Sequence, residues 1–347
     1  MRFKTLTSGI RTFLGGAALI GVVLTAFSAP AMSQTRIRFA LDWSPGSYHT
    51  PFLIALYKGY YKAEGLDVTI DRGKGSGEVV RQIASGVYEM GHPDINVIID
   101  FNARNPAQAF PMVMMAYEQI PSGIFALKKS GITKPAQLEG HTLGATINDS
   151  TFRLWPLFAK HAKFDPSKVE IKSIDPSLRE ALLAKEQVDS ITGQVFRSLL
   201  DLRARGVPDD QVVAFMYKDY GLDLYGNGVA VSRTFMKENP QAVKGFLRAT
   251  IKGVKDMIND PKMAIEMLVR YEPLVNPQLE ADRLKLALSC CIYTDNVRKD
   301  GYGGVDIERL KRSIALIAQG YNLPRAPAPE EVFDASFLPP AAERKLQ

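Results

Sequence analysis

The sequence has few of the residues that hold metal ions or disulfide frameworks. Its 347 residues include only two Cys and four His, and the histidines are too scattered to match a metal-ligand spacing. We therefore expect no metal and no cofactor. The adjacent Cys290 and Cys291 are expected to be buried thiols, with a strained vicinal disulfide after export as the alternative.

Catalytic signatures and strong charge are missing as well. No G-x-S-x-G, H-E-x-x-H or comparable constellation occurs, so we expect no catalytic residues. The formal net charge is +6, and three of the positive residues, Arg2, Lys4 and Arg11, lie near the N-terminus. The remaining charge is small and evenly spread, which argues against nucleic acid or an anionic membrane as a partner.

The sequence does have the composition of an ordinary folded, water-soluble protein. Hydrophobic residues make up 46% of it and charged residues 23%, which excludes disorder, collagen and coiled coil. At roughly 100–200 residues per domain, the length predicts about two domains, each large enough for its own core.

The N-terminus has the three-part layout of a secretory signal peptide. The basic residues at 2, 4 and 11 precede a charge-free stretch, residues 12–29, and the small-x-small site Ala29-Pro30-Ala31 follows. We predict that residues 1–31 are a signal peptide, that the precursor is exported across one membrane and that it is cleaved near Ala31. An uncleaved N-terminal anchor is the alternative.

From Arg36 onward, short apolar runs alternate with amphipathic stretches, which is typical of βα units on a largely parallel sheet. A first series starts at residue 36 and a second near residue 112, and the chain becomes helical after residue 235. We predict an α/β fold of two βα lobes joined by two crossover strands, with a ligand cleft between them. Lobe I would comprise residues 32–118 and 219–330, lobe II residues 119–218, and a C-terminal tail residues 331–347.

Four segments resemble motifs of one protein family. They are Leu-Asp-Trp-Ser-Pro-Gly-Ser-Tyr-His-Thr-Pro at 41–51, Gly-Tyr-Tyr-Lys-Ala-Glu-Gly-Leu-Asp-Val at 59–68, Ala-Ser-Gly-Val-Tyr-Glu-Met-Gly at 84–91 and Leu-Glu-Gly-His-Thr-Leu-Gly at 138–144. Together with Asn239-Pro240 before a long helix, their order resembles the periplasmic binding proteins of ABC importers for nitrate, sulfonates, taurine and thiamine-pyrimidine precursors. The resemblance implies the type II binding-protein fold, a small-molecule solute, and an inner-membrane permease with its ATPase as partners.

The opening motif is most similar to the thiamine-pyrimidine branch, which also contains pyrimidine precursor synthases that use their own histidine and pyridoxal phosphate. The synthases place a lysine and a histidine where this chain has Pro93 and Val97, and a cysteine cluster where it has residues 224–228. These differences and the export signal make a synthase the less favoured interpretation. Gly46 also departs from the asparagine that is usual in that branch.

Residues just after strands should face the cleft, because ligands of open α/β sheets bind outside the carboxyl ends of the strands. Trp43 follows the first strand and offers a stacking face, although a core position at the lobe edge is the alternative. Asp42 could accept hydrogen bonds from an amino group or cap a turn. Tyr48 and His49 precede a helix and could reach a bound solute or remain on the surface.

The glycine-rich loop 73–77 lacks the spacing of a nucleotide-binding loop. Its amides and Ser76 could hold a carboxylate or a sulfonate at a helix start, or form a plain turn. The remaining candidate ligand contacts are polar residues near predicted strand ends and crossings. They are His92, Asp94 and Tyr117 from lobe I, Asn148, Asp149, Ser150 and Gln194 from lobe II, and Tyr225 and Asn227 on the return crossing.

The sequence and the resemblance together predict a periplasmic solute-binding component of an ABC importer that captures a small planar nitrogen heterocycle. The alternatives are an aromatic carboxylate or an alkanesulfonate as ligand, or a sensor subunit with the same fold.

Overall fold

The computed structural model describes Gly9 and residues 34–346. The predicted signal peptide lies outside the described residues, apart from Gly9. From Gln34 onward the chain forms one compact unit. None of the helices in this part of the chain is both long enough and apolar enough to cross a bilayer.

Within residues 34–346, ten strands form two five-stranded sheets. The strands are β1 (Thr35–Ala40), β2 (Leu66–Asp71), β3 (Met90–Gly91), β4 (Met112–Met115), β5 (Ser122–Leu127), β6 (Thr142–Ala145), β7 (Glu170–Ser173), β8 (Ser190–Gln194), β9 (Val212–Met216) and β10 (Gly228–Val231). The first sheet has the order β2-β1-β3-β10-β4 and the second β7-β6-β8-β5-β9. We refer to the parts of the chain built on them as lobe I and lobe II.

Fifteen α-helices of the described residues flank the sheets. They are α1 (Thr50–Tyr57), α2 (Tyr60–Ala63), α3 (Ser76–Ala84), α4 (Ile95–Arg104), α5 (Ser150–Arg153), α6 (Trp155–Ala162), α7 (Arg179–Ala184), α8 (Val195–Arg203), α9 (Arg233–Glu238), α10 (Pro240–Asn259), α11 (Pro261–Tyr271), α12 (Pro277–Ala287), α13 (Asp295–Asp300), α14 (Ile307–Gly320) and α15 (Pro329–Val332). Residues 288–292 form a π-helical turn after α12.

The strand pairing confirms the two-lobed α/β fold expected from the sequence. In each sheet one strand runs between parallel partners, β1 between β2 and β3 and β6 between β7 and β8. The strands β10 and β5 are antiparallel to their neighbours, because the chain enters lobe II after β4 and returns before β10. The two crossing segments are residues 116–121 and 217–227. The lobe boundaries given above stay a prediction.

The core of lobe I is packed with aromatic rings. Phe39 of β1 lies 4.6 Å from Phe52 of α1 and 5.1 Å from Phe246 of α10, measured between ring centroids. The helices α1 and α10 approach closely at Gly253, which has no side chain. A Cβ atom there would lie only 2.2 Å from the Pro51 carbonyl oxygen. This packing holds the end of β1, and therefore the start of the cleft, in a rigid frame.

The segment between the third strand and residue 112 has no element assigned from the sequence. In the structure α4 lies there, and Asp94 caps it by accepting from the Asn96 amide at 2.8 Å. The predicted C-terminal tail, residues 331–347, begins within α15 and buries Phe333 and Phe337. Cys290 and Cys291 are free thiols, and the Cys291 carbonyl accepts from the Glu118 amide at 2.8 Å.

Arg309 of α14 contacts both crossing segments. Its guanidinium pairs with the Glu118 carboxylate of the first crossing and lies 2.9 Å from an Asp223 oxygen of the second. It also lies over the Tyr225 ring at 4.1 Å from the centroid. Only 6% of Arg309 is exposed, so one buried cation joins the two segments about which the lobes would move.

We predict that Arg309→Ala lowers the free energy of unfolding by about 3 kcal/mol, because it leaves the Glu118 carboxylate buried without its partner. Urea denaturation measures the loss. Lys311→Ala on the same helix is the control, since its exposed pair with Glu308 contributes at most about 0.5 kcal/mol. Equal losses in both variants would contradict the role given to Arg309.

Candidate functional site

A small cavity lies between the two lobes. Lobe I contributes Asp42, Trp43, Tyr48, Gly75 and Ser76 to its lining, and lobe II contributes Asp149, Arg179, Gln194 and Arg197. About 10 Å³ of it is open to the centre of a water molecule, which is room for about one water. The lobes are therefore closed on each other in this structure.

The lining residues come from the ends of strands and the first turns of the following helices. Asp42 and Trp43 follow β1, Ser76 begins α3 and Gln194 ends β8. Arg197 lies in the first turn of α8. This placement follows from the parallel strands, whose carboxyl ends face the same edge of each sheet.

The Asp42 carboxylate is held by two buried histidines. Asp42 Oδ1 lies 2.9 Å from His49 Nε2 and 3.2 Å from His92 Nδ1. Burial raises the pKa of Asp42, but the hydrogen bonds from the two imidazoles outweigh it and hold that pKa well below its usual range. Burial lowers the pKa of His49. An ionised carboxylate only accepts, so each histidine is the donor of its bond.

The same three residues could geometrically hold a metal ion, since their ligand atoms all lie within 4.8 Å of one another. A metal-bound imidazole usually donates its other ring N–H to a neighbour. Here His49 Nδ1 and His92 Nε2 are buried and find no hydrogen-bond partner among the described residues. The arrangement fits two imidazoles that donate to one carboxylate better than it fits a metal centre.

Trp43 is covered on one face by a cation from the opposite lobe. The Arg179 guanidinium lies 5.2 Å from the ring centroid. Arg179 itself is paired, since Nη1 lies 2.8 Å from Asp149 Oδ2 and Nη2 lies 2.8 Å from Glu180 Oε1. The indole is 8% exposed and lines the cavity at the contact between the lobes.

Arg197 also bridges the two lobes at the cavity. Its guanidinium donates to Ser44 Oγ at 2.9 Å and to Tyr48 Oη at 3.3 Å in lobe I. It is also paired with Asp201 of its own helix at 3.0 Å. Burial raises the pKa of Tyr48 to about 12. Tyr48 therefore stays a neutral phenol in the closed cleft.

The glycine-rich loop forms a second contact between the lobes. The Gly77 amide donates to the Asn148 carbonyl at 3.1 Å, and a Cβ atom at Gly75 would lie 2.5 Å from the same oxygen. Ser76 Oγ accepts from the Asp94 amide at 3.1 Å. The sequence hypothesis of an anion held by this loop is disfavoured in the closed form, because lobe II occupies the Gly77 amide.

The structure brings six of the predicted ligand residues to the cavity and places the others elsewhere. Those lining it are Asp42, Trp43, Tyr48, Ser76, Asp149 and Gln194. Those buried behind or beside it are His49, His92, Asp94, Tyr117 and Asn227. Asn148 lies at the contact between the lobes, Ser150 lines a separate groove near α14, and Tyr225 turns towards Arg309. Their contact with a ligand stays a prediction.

Two lining residues, Arg179 and Arg197, are absent from the sequence prediction. Both lie in the first turn of a helix that follows a lobe II strand. The sequence prediction took only residues just after a strand as facing the cleft, which we call the strand-end rule. These arginines come one helical turn or one loop later. Searching the first helical turns for basic residues would have found them.

We predict that Gly75→Ala holds the lobes further apart. The added methyl group would meet the Asn148 carbonyl, and Gly75 has a φ of 122°. Small-angle X-ray scattering should show a larger radius of gyration. Gly86→Ala is the control, because Gly86 also has a positive φ, 75°, but a Cβ atom there would meet nothing within 4 Å. An unchanged radius in Gly75→Ala would contradict the contact.

Asp94 provides a pH prediction. Burial, aided by the charges of Asp42 and Asp149, raises its pKa to about 7 from an ordinary value of 3.8. The folded protein therefore binds the proton more tightly than the unfolded chain, and the free energy of unfolding falls as the pH rises from about 4 to about 7. Asp94→Asn removes this loss. The free energy of unfolding of Asp94→Asn minus that of wild type should therefore be about 2–4 kcal/mol larger at pH 8 than at pH 4.

Urea denaturation at pH 4 and pH 8 measures the difference. The control is Asp306→Asn, another helix cap, whose pKa is lowered by the bond from the Arg309 amide and whose replacement should give no gain at pH 8. A stability gap between Asp94→Asn and wild type that does not change with pH would contradict the prediction.

Comparison with known proteins assigns the family. The NMT1/THI5-like family matches residues 46–264, more than half of the chain, and the chain therefore belongs to it. The family expected from the sequence motifs is confirmed.

Curated relatives include binding proteins and enzymes. Riboflavin-binding protein RibY of Chloroflexus aurantiacus is 26% identical over 297 residues, 79% of each chain. The 4-amino-5-hydroxymethyl-2-methylpyrimidine phosphate synthase THI11 of Saccharomyces cerevisiae is 26% identical over 332 residues, covering 87% of this chain and 92% of the synthase. The formylaminopyrimidine-binding protein of Halalkalibacterium halodurans is 22% identical over 288 residues, covering 81% and 84%.

Solved structures share the fold. The periplasmic aliphatic sulphonate binding protein SsuA from Escherichia coli superposes with a TM-score of 0.67 at 13% identity, covering 86% of this chain and 92% of that chain. The likeness supports the two-lobed binding-protein fold alone.

Proposed function

We propose that this member of the NMT1/THI5-like family is the solute-binding component of an ABC importer and captures a small planar nitrogen heterocycle. The observation that carries the proposal is the cavity between the lobes, to which both lobes contribute polar and aromatic side chains. A solute that bridges such a cavity favours the closed form, which an inner-membrane permease and its ATPase would recognise. Export by a signal peptide cleaved near Ala31 belongs to the same proposal.

The charges around the cavity favour a neutral or hydrogen-donating ring over an anion. Arg179 and Arg197 are both paired with carboxylates of lobe II, and Asp42 adds a negative charge from lobe I. A sulfonate or carboxylate would have to compete for these arginines and would lie near Asp42. An amino group or ring N–H of a heterocycle would instead find an acceptor.

Two relatives support the ligand class. RibY and the formylaminopyrimidine-binding protein are both named for planar nitrogen heterocycles. The side chains of Trp43 and Tyr48 supply the aromatic surfaces that such rings contact. We propose a ligand of the thiamine pyrimidine precursor type.

Binding without chemistry is the function that the residues favour over synthesis. The synthases resembled by this chain carry a lysine and a histidine where it has Pro93 and Val97. Val97 is 4% exposed in the core, and the Pro93 carbonyl accepts from the Gly228 amide at 3.1 Å. These positions support the fold and offer no nucleophile to the cavity.

A thermal-shift screen of the chain from residue 32 tests the proposal. Pyrimidines, flavins, aromatic acids and alkanesulfonates are the probes, and we expect a heterocycle to raise the melting temperature because it binds the native state alone. At 100 times the dissociation constant the stabilisation would be about 2.7 kcal/mol. Trp43→Ala should remove most of it, and Trp43→Phe should retain part.

Two results would overturn the proposal. One is stabilisation by sulfonates or aromatic acids but not by heterocycles, which would support the alternative ligand class. The other is conversion of a bound heterocycle to a product, detected by mass spectrometry after incubation, which would support an enzyme.

A further inference from the structure

The two histidines behind Asp42 lie outside the cavity lining. Both are fully buried, at 0% exposure, and both donate to the same carboxylate oxygen. They were expected from the sequence to contact the ligand, but only Asp42 of the three lines the cavity. Any contribution that they make to ligand binding would therefore act through the carboxylate.

The second carboxylate oxygen remains available. Among residues 34–346 no protein group donates a hydrogen bond to Asp42 Oδ2, although Oδ1 accepts two. Since Asp42 lines the cavity, Oδ2 is the atom through which this side chain can accept from a solute.

Aromatic rings enclose the histidines and leave them little freedom to turn. His92 lies 5.2 Å from Phe52 and 5.3 Å from Tyr117, and His49 lies 4.3 Å from Tyr48, measured between ring centroids. Side chains packed in this way stay in one rotamer. Two fixed donors on one oxygen therefore fix the plane of the carboxylate and the direction of the other oxygen.

We propose that His49 and His92 are positioning residues that aim Asp42 Oδ2 into the cleft as a specific acceptor for an N–H group of the ligand. The inference rests on the proposed function, since it needs a solute in this cleft. It deepens that function by naming the feature the solute must carry, an amino group or a protonated ring nitrogen. A ligand without this donor would leave a buried carboxylate oxygen unpaired.

The atom that each histidine uses makes a specific test available. His92 donates from Nδ1, which the side-chain amide of Asn can replace, and His49 donates from Nε2, which the longer amide of Gln can replace. We therefore compare His92→Asn with His92→Gln and His49→Gln with His49→Asn. Within each pair both variants are polar amides, but only the first places its donor near Asp42 Oδ1.

The probes are 4-amino-5-hydroxymethyl-2-methylpyrimidine and an analogue in which a methyl group replaces the 4-amino group. Isothermal titration calorimetry of wild type should show a preference for the amino compound of about tenfold or more, as expected for a hydrogen bond to a charged group. The matched variants His92→Asn and His49→Gln should retain most of this preference. The mismatched His92→Gln and His49→Asn should reduce it to about twofold or less.

The outcomes separate the two proposals. If wild type binds neither pyrimidine nor any other heterocycle, the proposed function fails and this inference fails with it. If wild type discriminates between the probes but the matched and mismatched variants lose the preference equally, or all four keep it, only the positioning role is overturned. Far-ultraviolet circular dichroism and melting temperatures confirm that each variant is folded, and the ratio of two affinities within one variant is insensitive to a modest loss of stability.

Discussion

Internal pairing of buried charges is the constraint on which the closed cleft depends. Each charged side chain that lines the cavity has a partner within the protein: Asp42 has two imidazoles, Arg179 has Asp149 and Glu180, and Arg197 has Asp201. An unpaired charge buried there would cost several kcal/mol. Because the pairing is complete without an outside ion, the lobes can close on a neutral solute. This is the physical reason for favouring a heterocycle over an anion at a site whose fold relatives include a sulfonate binder.

The fold could be predicted because its signals are local. Strands β1 and β2 alternate apolar and polar residues, Pro51 and Pro240 mark helix starts, and the restart of the βα series gives the second lobe. The segment of α4 was left unassigned from the sequence, although Asp94 directly before the apolar Ile95 is a helix-start signal. The structure shows that the Asp94 side chain caps the helix by accepting from the Asn96 amide.

The candidate site could be predicted only in outline. The strand-end rule places Asp42, Trp43 and Gln194 at the cavity, but it says nothing about depth, so His49 and His92 could not be told apart from lining residues. Depth is set by tertiary packing against α1 and the first crossing, which no sequence period encodes. The orientation of Tyr225 depends in the same way on Arg309, a residue distant in sequence.

Under the proposed function, closure and recognition would use the same residues, so the affinity for a solute at this cleft would be coupled to the equilibrium between open and closed lobes. Arg197 of α8 donates to Ser44 and Tyr48 across the cavity. Asp201, also on α8, accepts from Arg283 of α12 at 2.6 Å. A solute gains affinity only from contacts that the open form lacks. Contacts made between the lobes themselves lower the cost of closing and raise the apparent affinity for every solute equally. Discrimination between solutes must then come from groups that face the cavity and are not already satisfied, and the free oxygen of Asp42 is such a group.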